Sequence, residues 1–291
     1  MWHEFSLAHL SALTLSPQEM VEVAAHCGYS HVGLRLLPVT PTEPKYPIVQ
    51  DRKMMQETRA CIAQSGVSVL DIELARLSPD ADVASFEPML AAGAELGARH
   101  VIAQTPDPDR ARAAAKFAAL CELARPYALS VDLEFVTWTD TPDLHSAAAV
   151  LSAADQPNAG LLIDTLHFCR SRCSVEHLRS LPRKWFHFVQ VCDAPAEAPA
   201  TREGLIHAAR NERRLLGEGG LDVRAILECL PKNIPYSLEI PMATLSRTLG
   251  PEVRAHMAIL SARRYLKGAI TRARALPRYQ TPAPRRAAED P

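Results

Sequence analysis

Four polar residues stand where four successive apolar runs end: Glu134 in "LSVDLEFV", Asp164 in "AGLLIDT", Gln190 in "WFHFVQV" and Glu239 in "PYSLEI". If these runs are neighbouring strands of one sheet, each offers one oxygen ligand at the same height. Three carboxylates crowded together raise one another's pKa steeply unless a cation neutralises them. An amide oxygen completes such a shell without adding charge. That gives Gln190 a reason to follow Phe186 and Phe188 in the inward phase, where a buried amide costs free energy unless its polar atoms are partnered. Oxygen-only ligation suits a hard divalent ion, Mn2+ or Mg2+ with Co2+ as a further candidate, better than structural zinc. Each residue taken singly also reads as a helix cap or ion-pair partner, and Gln190 as a structural amide bonded to a loop. Four on adjacent strands point to a metal.

Other residues share the same ends. In "HVGLRL" alternation puts Arg35 on the face of Gly33, and in "VSVLDIEL" Asp71 and Glu73 share a face. Arg35 and Glu73 are therefore expected to pair, either as a structural ion pair or as a mount for a substrate carboxylate. His9 either lines the pocket or is an ordinary hydrogen-bonded histidine. Trp138 walls the pocket or packs beneath a loop. His187 is out of phase with Gln190 and is expected to face the helices. Residues 193–213 are too long for an ordinary connection of roughly 2–6 residues, which predicts a lid over the site. "GEGG" at 217–220 is the one candidate phosphate nest.

The elements that must position these residues alternate in a simple rhythm. Short apolar runs at 5–9, 31–36, 67–74, 99–104, 129–136, 159–165, 185–191 and 235–240 are each followed by a helical pattern. Helix starts are marked by Ser16-Pro17 with Glu19, Thr141-Pro142-Asp143, Ser174-Val175-Glu176, Asp222 and Gly250-Pro251-Glu252. Eight strand–helix units predict an α/β fold, a (β/α)8 TIM barrel forming a single domain over 1–275. An open doubly wound sheet would carry GxGxxG or a P-loop after a strand, and none is present. Residues 276–291 are rich in proline and charge and are expected to be disordered.

Composition narrows the function. Over 291 residues, 47% hydrophobic and 22% charged, the formal charge is −1 and the pI near 6.8, which gives no footprint for nucleic acid or an anionic membrane. The start lacks the pattern of a signal peptide and no run is long enough to span a bilayer, so a cytoplasmic location is expected. Seven scattered cysteines read as buried, reduced thiols rather than a disulfide framework.

The segments "LEF", "LLIDTLH", "FVQVCDAP", "RRLLGEGGLD" and "SLEIP" resemble the xylose isomerase-like TIM barrels, over roughly residues 5–270. That family includes sugar phosphate isomerases and epimerases, hydroxypyruvate isomerase and inosose-processing enzymes. The resemblance implies a metal tetrad of Glu134, Asp164, Gln190 and Glu239, with Glu134 and Glu239 also acting as catalytic acid and base. Many members carry histidine at the Gln190 position, whereas hydroxypyruvate isomerases are similar to this chain. His167, in Asp-x-x-His, and an arginine before the turn at Leu216-Gly217 imply substrate contacts. Arg213 fits that spacing, with Arg214 as its rival. The family's glutamate on strand two is absent, with Gly33 in its place. The implied function is a divalent-metal-dependent isomerase or epimerase working on a small sugar, keto acid or cyclic polyol through an enediolate. Alternatives are a dehydratase of the 3-dehydroshikimate or inosose type, or a barrel subunit of a larger complex. A homodimer or homotetramer is expected.

Overall fold

In a computed structural model, whose described residues are 3–267, eight parallel strands close into a barrel in sequence order. The strands are β1 (Phe5–Leu7), β2 (His31–Arg35), β3 (Ser68–Arg76), β4 (His100–Gln104), β5 (Ser130–Glu134), β6 (Ala159–Asp164), β7 (Val189–Val191) and β8 (Tyr236–Leu238). The helices are α1 (Pro17–Cys27), α2 (Arg52–Ser65), α3 (Glu87–Glu95), α4 (Arg110–Ala124), α5 (Leu144–Ala154), α6 (Thr165–Arg170), α7 (Val175–Ser180), α8 (Arg202–Asn211), α9 (Val223–Cys229), α10 (Ala243–Ser246) and α11 (Pro251–Leu266). This is a TIM barrel, as the alternation predicts. The tail expected to be disordered lies outside the described residues.

The caps explain why the helices start where they do. Ser16 and Glu19 form a reciprocal capping box on α1, and Asp143, Ser174 and Asp222 cap α5, α7 and α9. The helices bury their apolar stripes against the outer face of the sheet, where Leu7, Val32, Val101, Val131, Leu161 and Leu238 are fully buried. Inside the barrel, Leu70, Ile102, Leu162 and Phe188 form a small apolar plug. Above and below it the interior is polar.

Register sets the upper layer. Glu134 lies opposite Leu162, Asp164 opposite Gln190, and Gln190 opposite Ser237, so alternation carries Glu239 inward one step above Ser237. Gly33 is explained by its neighbour on β3: an added Cβ would sit 2.7 Å from the Asp71 carboxyl. Burial, then the nearby Glu73, pushes the pKa of Asp71 well above the usual carboxylate range.

Three local expectations need correction. The seventh apolar run becomes regular strand only at Val189, because a 3-10 turn occupies Arg183–Trp185. Alternation therefore does not govern His187, which curls under the barrel and bonds Asp132 at 2.9 Å instead of facing the helices. Between β6 and the predicted helix at Ser174, Asp164 caps an additional short helix, α6, through the Leu166 and His167 amides. The supposed phosphate nest is filled from within: the Asp193 carboxylate accepts the Gly217, Gly219 and Leu221 amides at 3.0–3.1 Å.

Candidate active site at the C-terminal mouth

The mouth holds a cavity of about 410 Å³ whose lining includes Arg35, Glu73, Gln104, Glu134, Trp138, His167, Arg213 and Glu239. Asp164 and Gln190 lie just beneath, fully or almost fully buried. Carboxylate oxygens of Glu134 and Asp164 and a ring nitrogen of His167 all lie within 4.8 Å of one another.

Arg213 reaches into this group from the end of the lid. Its guanidinium donates to Asp164 Oδ2 at 2.6 Å and pairs with Glu239 Oε2 at 2.8 Å, while its Nε is held by the Ala209 carbonyl. Two isolated antiparallel bridges, Asp193 with Arg214 and Glu212 with Met242, pin the backbone on either side of it. Gln190 donates its amide to Glu239 Oε1 at 3.0 Å, and its own oxygen, although buried, has no partner among the described residues. Gln104, at the end of β4, donates to Glu134 Oε2 at 2.7 Å. Sequence reasoning missed Gln104, although it ends its strand just as Glu134 and Asp164 end theirs.

Burial is the largest influence on Glu134, Asp164, His167 and Glu239. Burial, then the neighbouring Asp164, pushes Glu134 up to about 7. Glu239 is raised well above its ordinary value by burial, against the opposing pull of Arg213. Burial, again the strongest influence, would raise Asp164, but the Arg213 guanidinium, His167 and the hydrogen bonds to Asp164 together hold that carboxyl below the usual range. Burial lowers His167 to about 4, so its ring is neutral at pH 7. It packs edge-on to Trp138 at 5.1 Å and lies 3.3 Å from Thr137 Oγ1.

The donor set fits a divalent cation. Three carboxylates and one guanidinium leave two negative charges when fully ionised, and Gln190 supplies an unsatisfied neutral oxygen. Burial raises Glu134 and Glu239, and a nearby cation would act in the opposite direction.

The remaining residues divide. Arg35 pairs with Glu73 at 3.0 Å, as alternation predicts, and also with Glu43 at 3.2 Å. His9 does not line the cavity. It is fully buried, accepts from the Arg35 amide and donates to the Leu15 carbonyl, both at 2.9 Å, which makes it a structural histidine. Arg214 points away, with its guanidinium on the Glu218 carbonyl at 3.2 Å in an exposed loop. Its backbone bridge to Asp193 turns the neighbouring Arg213 inward. The lid carries a helix that the sequence reading does not place, α8, whose Ile206, Ala209 and Arg210 wall the cavity.

A second group, His100, Asp132 and His187, sits at the opposite end of the barrel. Asp132 is fully buried there and accepts from His187 at 2.9 Å and from Ser130 at 2.7 Å. Gly160 leaves the room they fill, since a Cβ there would run into both Asp132 and His187. This end of a TIM barrel is where structural interactions concentrate.

A family model described as "Xylose isomerase-like TIM barrel" matches residues 21–276. Among solved structures, the IOLI protein with a bound zinc atom superposes with a TM-score of 0.77 at 18% identity, covering 92% of this chain and 99% of that one. The probable 3-DHS dehydratase AsbF from Bacillus anthracis gives 0.67 at 18% identity, with 89% and 98% covered. D-allulose 3-epimerase from Methylomonas sp. gives 0.66 at 16%, with 90% and 98% covered. At such identities these likenesses speak to the fold. No curated protein matches the chain by sequence.

Proposed function

The chain belongs to the xylose isomerase-like TIM barrel family, and we propose that it is a divalent-metal-dependent isomerase or epimerase of a small α-hydroxycarbonyl compound. The observation that carries this reading is the unpartnered Gln190 oxygen beside three buried carboxylates whose charge only Arg213 offsets. Glu134, Asp164, Gln190 and Glu239 would hold the ion. When bound, it supplies a Lewis acid that polarises a carbonyl and favours charge on its oxygen.

The side chains do the rest. Glu134 and Glu239 flank the cavity as carboxylates, one taking the proton from the carbon beside the carbonyl and the other returning a proton. The electron pair of the broken C–H bond becomes the double bond of an enediolate. Return to the same carbon inverts it; return to the former carbonyl carbon, with loss of the hydroxyl proton, moves the carbonyl. Neutral His167 offers a hydrogen bond to a substrate hydroxyl. Gln104 steadies Glu134, and Arg213 fixes the orientation of Asp164 and Glu239. Trp138 and the lid helix α8 exclude water.

A dehydratase shares the first step and differs only in expelling a β-hydroxyl; the likeness to a probable 3-DHS dehydratase keeps that outcome in view. A direct test is solvent exchange. In D2O with Mn2+, ketoses, hydroxypyruvate and cyclic ketopolyols should be screened by proton NMR for loss of the signal beside the carbonyl. Exchange with at least one substrate, abolished in Glu134→Gln and Glu239→Gln, supports the reading. Absence of exchange across all three classes contradicts it.

A further inference from the structure

The outer half of the cavity differs in charge from its floor. Arg76, at the end of β3, and Arg210, on lid helix α8, both line it. Among the described residues neither guanidinium makes an ion pair or a side-chain hydrogen bond, unlike Arg35 and Arg213, whose carboxylate partners are 2.6–3.2 Å away. Two like charges thus line the mouth, an exposed one on the barrel and a half-buried one on the lid. Arg210 is half-buried, and burial followed by the charge of Arg76 lowers its pKa, with Glu43 acting the other way. A lone rim arginine would be an ordinary solvated side chain. An unpaired arginine kept half-buried on a wall it shares with a second arginine costs free energy, which an anion bound by both would offset. The "GEGG" turn cannot serve instead, because Asp193 already occupies its amides.

We propose that Arg76 and Arg210 form an anion clamp, so that the substrate carries a carboxylate or phosphate at the end remote from its hydroxycarbonyl group. The proposal rests on the reading of the cavity as an active site. The guanidinium fork matches either oxyacid through paired N–H donors. Engaging both arginines also ties α8 to β3, so the anion closes the lid while the hydroxycarbonyl end faces Glu134 and Glu239. The volume of about 410 Å³ suits a small bifunctional molecule.

Three probes share one carbon skeleton and differ at this end: glycerol, glycerate and glycerol 3-phosphate. Calorimetric titration into the full chain equilibrated with Mn2+ should show at least one anion binding about tenfold or more tightly than glycerol. Whichever anion gains more identifies the group. Arg76→Gln and Arg210→Gln should each remove most of that gain, and Arg210→Lys should restore part of it, with unchanged thermal melting as the control for folding. Equal binding of all three probes overturns the clamp. So does an anion gain that survives both Gln substitutions. A parallel Mn2+ titration separates the two readings: arginine-dependent anion binding in a protein that takes up no Mn2+ keeps the clamp and removes the metal-dependent isomerase. Mn2+ uptake with arginine-independent anion binding does the reverse.

Discussion

Gln190 turns its amide nitrogen to Glu239 Oε1 at 3.0 Å and leaves its oxygen buried and unpartnered. The contact does two things at once. It fixes the Glu239 carboxylate in place, and it leaves a hard neutral oxygen free beside the carboxylates. Gln190→His should therefore move metal preference from Mg2+ and Mn2+ toward Co2+, Ni2+ and Zn2+. Metal-dependence curves check this; the same rank order in both proteins would take Gln190 out of the coordination sphere.

The two neighbouring arginines should behave oppositely. Arg213 bridges Asp164 and Glu239, whereas Arg214 sits on a loop carbonyl. Arg213→Ala should lower kcat/KM by roughly 100-fold through loss of ligand orientation. It should also tighten Mn2+ binding by about tenfold, because a competing cation has gone. Arg214→Ala should stay within about twofold of wild type on both counts. Steady-state kinetics and calorimetry on the two variants decide the assignment.

Much of this was legible in the sequence, and the misses have physical causes. The eight-unit rhythm and the inward phase of Glu134, Asp164, Gln190 and Glu239 follow from alternation alone. His187 escaped because alternation holds only within a strand, and the strand starts two residues later. Of the two readings of His9, the hydrogen-bonded one holds, but its partners, the Leu15 carbonyl and the Arg35 amide, are announced by no local pattern. Spacing favours Arg213 but leaves Arg214 as a rival; what separates them is the pairing of Arg214 with Asp193, distant in sequence. The α8 helix lay unread although Thr201 caps it and its apolar residues recur at helical spacing, because the segment was read for its length alone.

At the far end of the barrel, stability should depend on pH through Asp132 and His187. Burial acts to raise Asp132, but hydrogen bonds from His100 and His187 win and hold it well below the usual range. Burial lowers His187, and its bond to Asp132 outweighs this and raises it. A depressed carboxyl stabilises the fold above its unfolded value of about 3.9 and loses that as pH falls through the folded value. A raised histidine stabilises below about 6.5 and loses it as pH climbs through the folded value. The contribution is thus greatest between about pH 4 and 6.5. Asp132→Asn should cost roughly 3 kcal/mol there and flatten the profile. Urea unfolding across pH reads both; an unchanged profile would remove the pair from the account.

Exchanging Glu134 or Glu239 for Gln removes a base but little volume. Glu134→Gln should keep its melting temperature within a few degrees, whereas Glu239→Gln leaves Arg213 with Asp164 alone and should melt somewhat lower. Each should lose turnover by at least about 1,000-fold. Wild-type-like turnover in either one would remove that residue from proton transfer.

The central claim is that Glu134, Asp164, Gln190 and Glu239 form one divalent-cation site, and direct calorimetric titration with Mn2+ tests it without reference to any substrate. Wild-type protein should take up one ion per chain, and Asp164→Asn and Glu239→Gln should each weaken binding by at least about 100-fold while the fold persists. Failure of the wild-type protein to bind Mn2+, or binding undiminished in both variants, would contradict it.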